Sequence, residues 1–229
     1  MSIIVFEEVT KSFPPPSSTN KDKSGENDKV ERICALPVIS FNLDQNETLA
    51  LTGPSGSGKS TLLNLAAGLE RPTSGRIILF DRLLQDMTED EITKLRGTSI
   101  GFIFQSFRLL GSLTSLENIE LPAKLNGVNE TRKKSIDLLE RVGLGHRKDH
   151  YPEQLSGGEQ QRVAVARAFS GSPKLILADE PTGNLDSKTA STIIDLIFSM
   201  VEENKISLLV ATHDNNLASR ASRLLSLNP

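Results

Sequence analysis

A chain of 229 residues is long enough for one well-buried domain, with or without a small subdomain, and too short for two independent ones. Its 26 Lys and Arg against 29 Asp and Glu leave a formal charge of −3, so no basic excess is available to neutralise a nucleic-acid backbone. The single cysteine, Cys34, excludes an intramolecular disulfide and a multi-cysteine zinc site.

No apolar run approaches the roughly 18–20 residues that cross a bilayer. The short run Ile3-Ile4-Val5-Phe6 meets Glu7 and Glu8 at once, unlike a secretory signal. The expected location is the cytoplasm, with binding to a membrane protein open from that side.

Ser2 to Val9 reads as an opening strand leading into Lys11-Ser12-Phe13. Residues 14–29 then contain three prolines followed only by polar residues and glycine, so a flexible surface insert is expected there. Val38 to Leu43 resumes strand alternation, and Thr48 to Thr52 is a short buried strand. It feeds Gly53-Pro54-Ser55-Gly56-Ser57-Gly58-Lys59-Ser60, which fits G-x-x-x-x-G-K-[ST], and a helix follows over Thr61 to Gly68. Small residues let backbone N–H groups turn inward around phosphate oxygens, and the positive end of the helix favours the same anions. The loop should hold a nucleoside triphosphate, with Lys59 on the β and γ phosphates and the Ser60 hydroxyl on Mg²⁺.

Arg71 to Gly75 is a turn, Arg76 to Phe80 a strand, and Thr88-Glu89-Asp90-Glu91 a capping box opening a helix to about Arg96. Ser99 to Phe104 is another apolar strand, ended by Gln105. From Ser106 to Tyr151 the pattern is helical, notably over 130–142, where Ile136, Leu138, Leu139 and Val142 form an apolar face. This is a helical subdomain inserted in an α/β core. Within it, Phe107, Leu109, Leu110, Leu113, Leu116 and Ile119 suit either core or a docking surface. His146 and His150 stand at i, i+4, but Gly145 and Pro152 bracket a loop and no intervening glutamate is present, so a structural loop is expected rather than a metal site.

Leu155 to Arg162 opens a helix running to about Phe169, and Lys174 to Pro181 is a buried strand ending in Asp179 and Glu180. A helix from Ser187 to Glu203, the strand Ser207 to Ala211, a short helix and the strand Arg223 to Leu227 complete the chain. Strands alternating with helices imply a largely parallel sheet with its ligand at the strands' C-terminal ends. There Asp179 can serve the water shell of the Mg²⁺ on Ser60, and Glu180 can act as general base on the attacking water. Ser156 with Glu159 is a capping box, yet Gly157 and Gly158 expose bare N–H groups at a positive helix end, which makes a second anion site. One ATP can use both sites only if they face each other, within the chain or across a dimer.

In order, Gly53 to Ser60, Gln105, Leu155 to Gln160, Leu177 to Glu180, Asn184-Leu185-Asp186 and His213 resemble the phosphate loop, glutamine loop, signature, acidic strand, aspartate loop and switch histidine of ABC-type ATPases. The match runs from Phe41 to Leu227. Phe104 to Leu110 and Asp179 to Asp186 look most like the lipoprotein-releasing, macrolide-exporting and cell-division ATPase subunits of bacteria. The resemblance implies one domain over 1–229, with a P-loop core of mainly parallel sheet, an antiparallel N-terminal β subdomain and a helical subdomain over about 106–155. It implies that Phe13 stacks on adenine, Gly53 to Thr61 bind the phosphates, and Ser60, Gln105 and Asp179 serve Mg²⁺. Glu180 would be the catalytic carboxylate, assisted by Gln105 and His213, while Ser156, Gly157 and Gly158 cap ATP on the opposite subunit and Asp186 signals between sites. An ATP-bound homodimer would power an integral membrane subunit from the inner face of the cell membrane. Related chains usually carry Tyr where this one has Phe13, with a shorter loop after it. A soluble ABC ATPase acting on DNA, ribosomes or cluster assembly would bring a coiled-coil arm, paired domains or zinc cysteines. A module that gates a partner without transport would look the same in sequence.

Overall fold

The computed structural model describes residues 1–15, 32–127 and 131–227. Strand β1 (Ser2–Phe13) pairs antiparallel with β2 (Ile33–Asp44). A turn leads into β3 (Thr48–Thr52), and the glycine-rich loop connects it to helix α1 (Lys59–Ala66). Strands β4 (Ser74–Leu79) and β5 (Arg82–Leu83) form a hairpin, and α2 (Glu89–Ser99) precedes β6 (Ile100–Phe104). Helices α3 (Ser115–Leu125) and α4 (Thr131–Arg141) come next. Then α5 (Gly157–Phe169), β7 (Leu175–Asp179), α6 (Ser187–Asn204), β8 (Ser207–Ala211), α7 (Asn215–Arg220) and β9 (Arg223–Ser226) alternate.

Two sheets result. One is antiparallel in the order β2-β1-β4-β5, and the other is wholly parallel in the order β6-β7-β8-β3-β9. Successive side chains along a strand point to opposite faces, so each central strand feeds two cores. Leu49, Leu51, Leu175, Leu177 and Leu209 pack toward α1 and the antiparallel sheet. Ala50, Ile176, Ala178, Leu208 and Val210 pack toward α5 and α6, a core that also takes in Ile119 of α3 and Leu138 and Leu139 of α4. The central strands β7, β8 and β3 are therefore a buried middle layer, while the edge strand β9 is largely exposed.

Several boundaries differ from the sequence reading. β1 continues to Phe13 and β2 begins at Ile33, because Lys11, Ser12 and Phe13 pair with Leu36, Cys34 and Ile33 through irregular register. Three register shifts past Phe6 break the alternation by which such strands are read. Phe80 is not in a strand: Phe80 and Asp81 take φ of 50° and 60° and turn the β4–β5 hairpin without glycine. Residues 106–114 are irregular rather than helical, and α3 starts at Ser115 on a Thr114–Glu117 capping box. Ile136 is only half-buried, while Ser135 takes a place on the inner face of α4. Leu116 and Ile119 of the apolar stretch are core, whereas Leu110 is exposed. His146 lies in a single 3₁₀ turn, and the His150 carbonyl accepts from the Ser115 amide at 2.8 Å. The insert expected over 14–29 lies outside the described residues from position 16 onward.

Candidate functional site

Strand β3 carries the chain into the glycine-rich loop at the C-terminal edge of the parallel sheet. Gly53, Gly56 and Gly58 there have φ of 147°, 83° and 93°, which side chains rarely tolerate. A Cβ on Gly58 would stand 2.5 Å from the Ala35 carbonyl oxygen, so the site also needs a bare backbone for space. Gly58 is the N-cap of α1 and offers no side chain, leaving the first N–H groups of that helix to an incoming anion. Lys59 is 8% exposed and donates through Nζ to the carbonyls of Gly53 at 2.8 Å and Pro54 at 3.0 Å. The ammonium is thus held over the loop. Ser57 is buried beside it, its Oγ without a hydrogen-bond partner among the described residues.

At the end of β7, Oδ1 of Asp179 accepts from the Ser60 hydroxyl at 3.2 Å. Burial raises the Asp179 pKa above the ordinary carboxylate value, the Ser60 bond opposes that rise and the neighbouring Glu180 charge adds to it. Glu180 leaves the strand with φ of 45°, its amide donating to the Ala211 carbonyl at 2.9 Å. A glutamate in left-handed backbone is strained, as residues at reacting centres often are. Its Oε2 lies 2.8 Å from Nδ1 of His213 and accepts from the His213 amide at 3.3 Å.

These groups meet in one cleft of about 770 Å³. Ser55, Gly56, Gly58, Lys59, Ser60 and Thr61 line it together with Gln105, Asp179, Glu180 and His213. The signature lies elsewhere: Ser156, Gly157 and Gly158 line a second cleft of about 430 Å³ with Asn184, Leu185 and Asp186. Ser156 caps α5 through the Glu159 amide at 3.3 Å, and Asp186 caps α6 through the amides of Lys188 at 3.1 Å and Thr189 at 3.0 Å. Bonds from Thr189, side chain first, hold the Asp186 carboxyl below the usual range. The two clefts touch through Gln105, whose Nε2 donates to Asn184 Oδ1 at 3.2 Å while Asn184 Nδ2 donates to the Gln105 carbonyl at 3.1 Å. Phe13 does not line the first cleft. It stands at the end of β1, 36% exposed, with the Lys11 ammonium 4.8 Å from its ring centre.

The profile of the ABC transporter family matches residues 36–183. The chain belongs to the ABC transporter family. A curated relative, the uncharacterised ABC transporter ATP-binding protein YbbA of Escherichia coli K12, is 53% identical over 197 residues, 85% of this chain and 86% of YbbA. The lipoprotein-releasing system ATP-binding protein LolD of Treponema denticola is 42% identical over 219 residues, covering 95% of this chain and 91% of LolD. A solved structure, the dimeric ATP-binding cassette MJ0796 in a post-hydrolysis state with ADP and phosphate, superposes with TM-score 0.84 at 40% identity, covering 98% of this chain and 94% of that one. The MJ0796 protein of Methanocaldococcus jannaschii is itself a curated relative, 42% identical. As an ABC transporter subunit, the chain binds and hydrolyses ATP.

Three residues of this ABC subunit's cleft were not singled out by motif. Ile33, Cys34 and Ala35 of β2 complete its lining, and Ala35 is the neighbour that Gly58 must avoid. They reach the cleft through pairing with the end of β1, Ile33 opposite Phe13 and Cys34 opposite Ser12, a register that the sequence alone does not announce. Asn184 stood in the aspartate-loop motif without a role, and here it holds Gln105. The donor set suits Mg-ATP: a hydroxyl and a half-buried carboxylate are hard oxygen ligands, and the loop offers amides and an ammonium to phosphate.

Proposed function

We propose that the chain is the energy-supplying subunit of a membrane transporter and works as a homodimer closed by two ATP molecules. The carrying observation is that one chain's signature cleft and phosphate cleft are separate sites. Ser156, Gly157 and Gly158 of one subunit then cap the ATP that Lys59 holds in the other. Gly53, Pro54, Ser55, Gly56, Ser57, Gly58 and Thr61 cradle the phosphates, and Phe13, outside the cleft lining but paired with Ile33 of its wall, stacks on adenine beyond the cleft's edge.

Ser60, Asp179 and Gln105 would hold Mg²⁺, which would supply neutralisation of phosphate charge. For that, Gln105 must trade its bond to Asn184 for the cleft. Glu180 takes the proton of the attacking water, and His213, already bonded to Glu180, holds that carboxylate and reaches the γ-phosphate. Asp186 couples the two sites through the start of α6. The integral membrane subunit docks this chain to the inner face of the membrane, and no nucleic acid takes part. The test is sedimentation velocity of Glu180→Gln with and without Mg-ATP. The reading expects dimer with nucleotide and monomer without it; a nucleotide-independent state of either kind would refute closure by ATP.

A further inference from the structure

The turn that follows Gln105 is strained, and one side chain of α5 holds the carbonyls of its strained pair. Phe107 and Arg108 are consecutive non-glycine residues in left-handed backbone, with φ of 57° and 50°. Such a pair is sterically disfavoured and persists only where its surroundings impose it. Arg167 of α5 supplies the fork: Nη2 donates to the Phe107 carbonyl at 2.8 Å and Nη1 to the Arg108 carbonyl at 2.5 Å. Among the described residues no carboxylate pairs with this guanidinium, and burial holds it below the usual arginine range. It is committed to those two carbonyls.

The rest of the turn is fixed on both sides. The Arg108 guanidinium lies 4.2 Å from the centre of the Phe104 ring, and buried Asn118 accepts from the Leu110 amide at 2.8 Å. On α5 itself, buried Gln161 donates to the carbonyls of Phe104, at 3.4 Å, and Pro181. The helix whose first turn carries Ser156 to Gly158 is thereby tied to both sides of Gln105 and to the residue after Glu180. The pair's amides are met within the turn, by the Phe104 and Ser106 carbonyls, and among the described residues the Arg167 fork is what meets its two carbonyls.

We propose that Arg167 is a positioning residue for hydrolysis: it clamps the Phe107–Arg108 turn so that Gln105 enters the cleft from a fixed backbone position. This rests on the role given to Gln105 above. A planar fork meets two adjacent carbonyls at once, which a lysine ammonium on a flexible stem does not.

The experiment measures ATP turnover and ATP affinity of the full chain for Arg167→Ala, Arg167→Lys, Arg108→Gly and the double variant Arg167→Ala with Arg108→Gly. Arg167→Ala should lower kcat roughly ten- to a hundredfold, the usual penalty for a small displacement of a reacting group, while ATP affinity changes by less than about threefold. Arg167→Lys should share most of that loss. Glycine takes φ of 50° without steric cost, so adding Arg108→Gly should recover a large part of kcat. Arg108→Gly alone gives up the contact with the Phe104 ring, so its kcat is the ceiling against which the double variant is read. A double variant as slow as Arg167→Ala, or an Arg167→Ala enzyme with wild-type kcat, overturns the clamp. Should Arg167→Ala fail to fold, Arg167→Lys with and without Arg108→Gly carries the same comparison. Gln105→Ala is measured in parallel: wild-type turnover there overturns the Gln105 role and the proposal with it, whereas slow turnover with no glycine rescue overturns the clamp alone.

Discussion

Nδ1 of His213 lies 2.8 Å from Oε2 of Glu180, and the His213 amide donates to the same oxygen at 3.3 Å. The carboxylate is thus aimed before any substrate arrives, by a residue at the end of the neighbouring strand β8. Glu180→Gln keeps the shape and loses the carboxylate proposed as base. Turnover should fall about 10²–10⁴-fold, the usual range for a positioned base. ATP affinity by calorimetry should stay close to wild type, because Lys59 and the loop amides are untouched. Near-wild-type hydrolysis would remove Glu180 from the mechanism.

Lys59 carries the opposite expectation. Its ammonium rests on the Gly53 and Pro54 carbonyls, at the mouth of the uncapped helix α1. Hydrogen bonds to charged groups contribute about 1.5–3 kcal/mol, so Lys59→Ala should weaken ATP binding roughly ten- to a hundredfold. Calorimetric titration reads this directly, and an unchanged Kd contradicts a phosphate role.

The chemistry was legible in sequence because its residues are fixed by local spacing: a glycine at each left-handed position of the loop, and carboxylates where an apolar strand runs out. What stayed hidden depends on pieces brought from far along the chain. Ile33 to Ala35 enter the cleft only through a bulged pairing with β1, and the Phe80–Asp81 turn uses left-handed residues that do not announce themselves as Gly or Asn would. Residues 106–114 have helical composition, but their backbone answers to Arg167 and Asn118 rather than to local preference.

Gly101 shows the same dependence on distant contacts. It sits in β6, and a Cβ there would come within 2.2 Å of the Ala168 carbonyl oxygen on α5. Gly101→Ala should therefore push α5 off the sheet, at about 1–3 kcal/mol for overpacking. For a chain of this size that is a Tm loss of a few to about 10 °C. An unchanged melting curve would mean that the helix yields without cost.

Acid stability should follow the capping boxes. Glu91 accepts from the Thr88 amide and from the Arg82 guanidinium, which hold its carboxyl at about 2 instead of 4.5. A folded value below the unfolded one stabilises fully above about pH 4.5 and is lost as pH falls toward 2. Thr114 and Ser156 likewise lower Glu117 and Glu159. Glu91→Gln should flatten part of the fall in Tm between about pH 5 and pH 3. Parallel melting curves for the two proteins across that window would show that Glu91 does not titrate differently on folding.

The signature serine separates a helix cap from a dimer contact. Ser156 Oγ accepts from the Glu159 amide at 3.3 Å, and the Ser156 amide donates to Glu159 Oε2 at 2.8 Å, so the residue has a complete structural job within its own chain. Losing the cap costs about 1 kcal/mol whatever replaces it. Ser156→Ala and Ser156→Arg should therefore melt at similar temperatures, a few degrees below wild type. They differ in bulk and charge at the cleft that would receive the partner subunit's ATP. In the Glu180→Gln background at saturating Mg-ATP, Ser156→Ala should retain most of the dimer, while Ser156→Arg should abolish it by overlap with the opposing phosphate loop. Each variant should still bind ATP as a monomer, because Ser156 is absent from the cleft that holds Lys59. Sedimentation velocity distinguishes the cases. Equal dimer content with alanine and arginine would make the serine a helix cap and nothing more, and the two-site closure would lose its support.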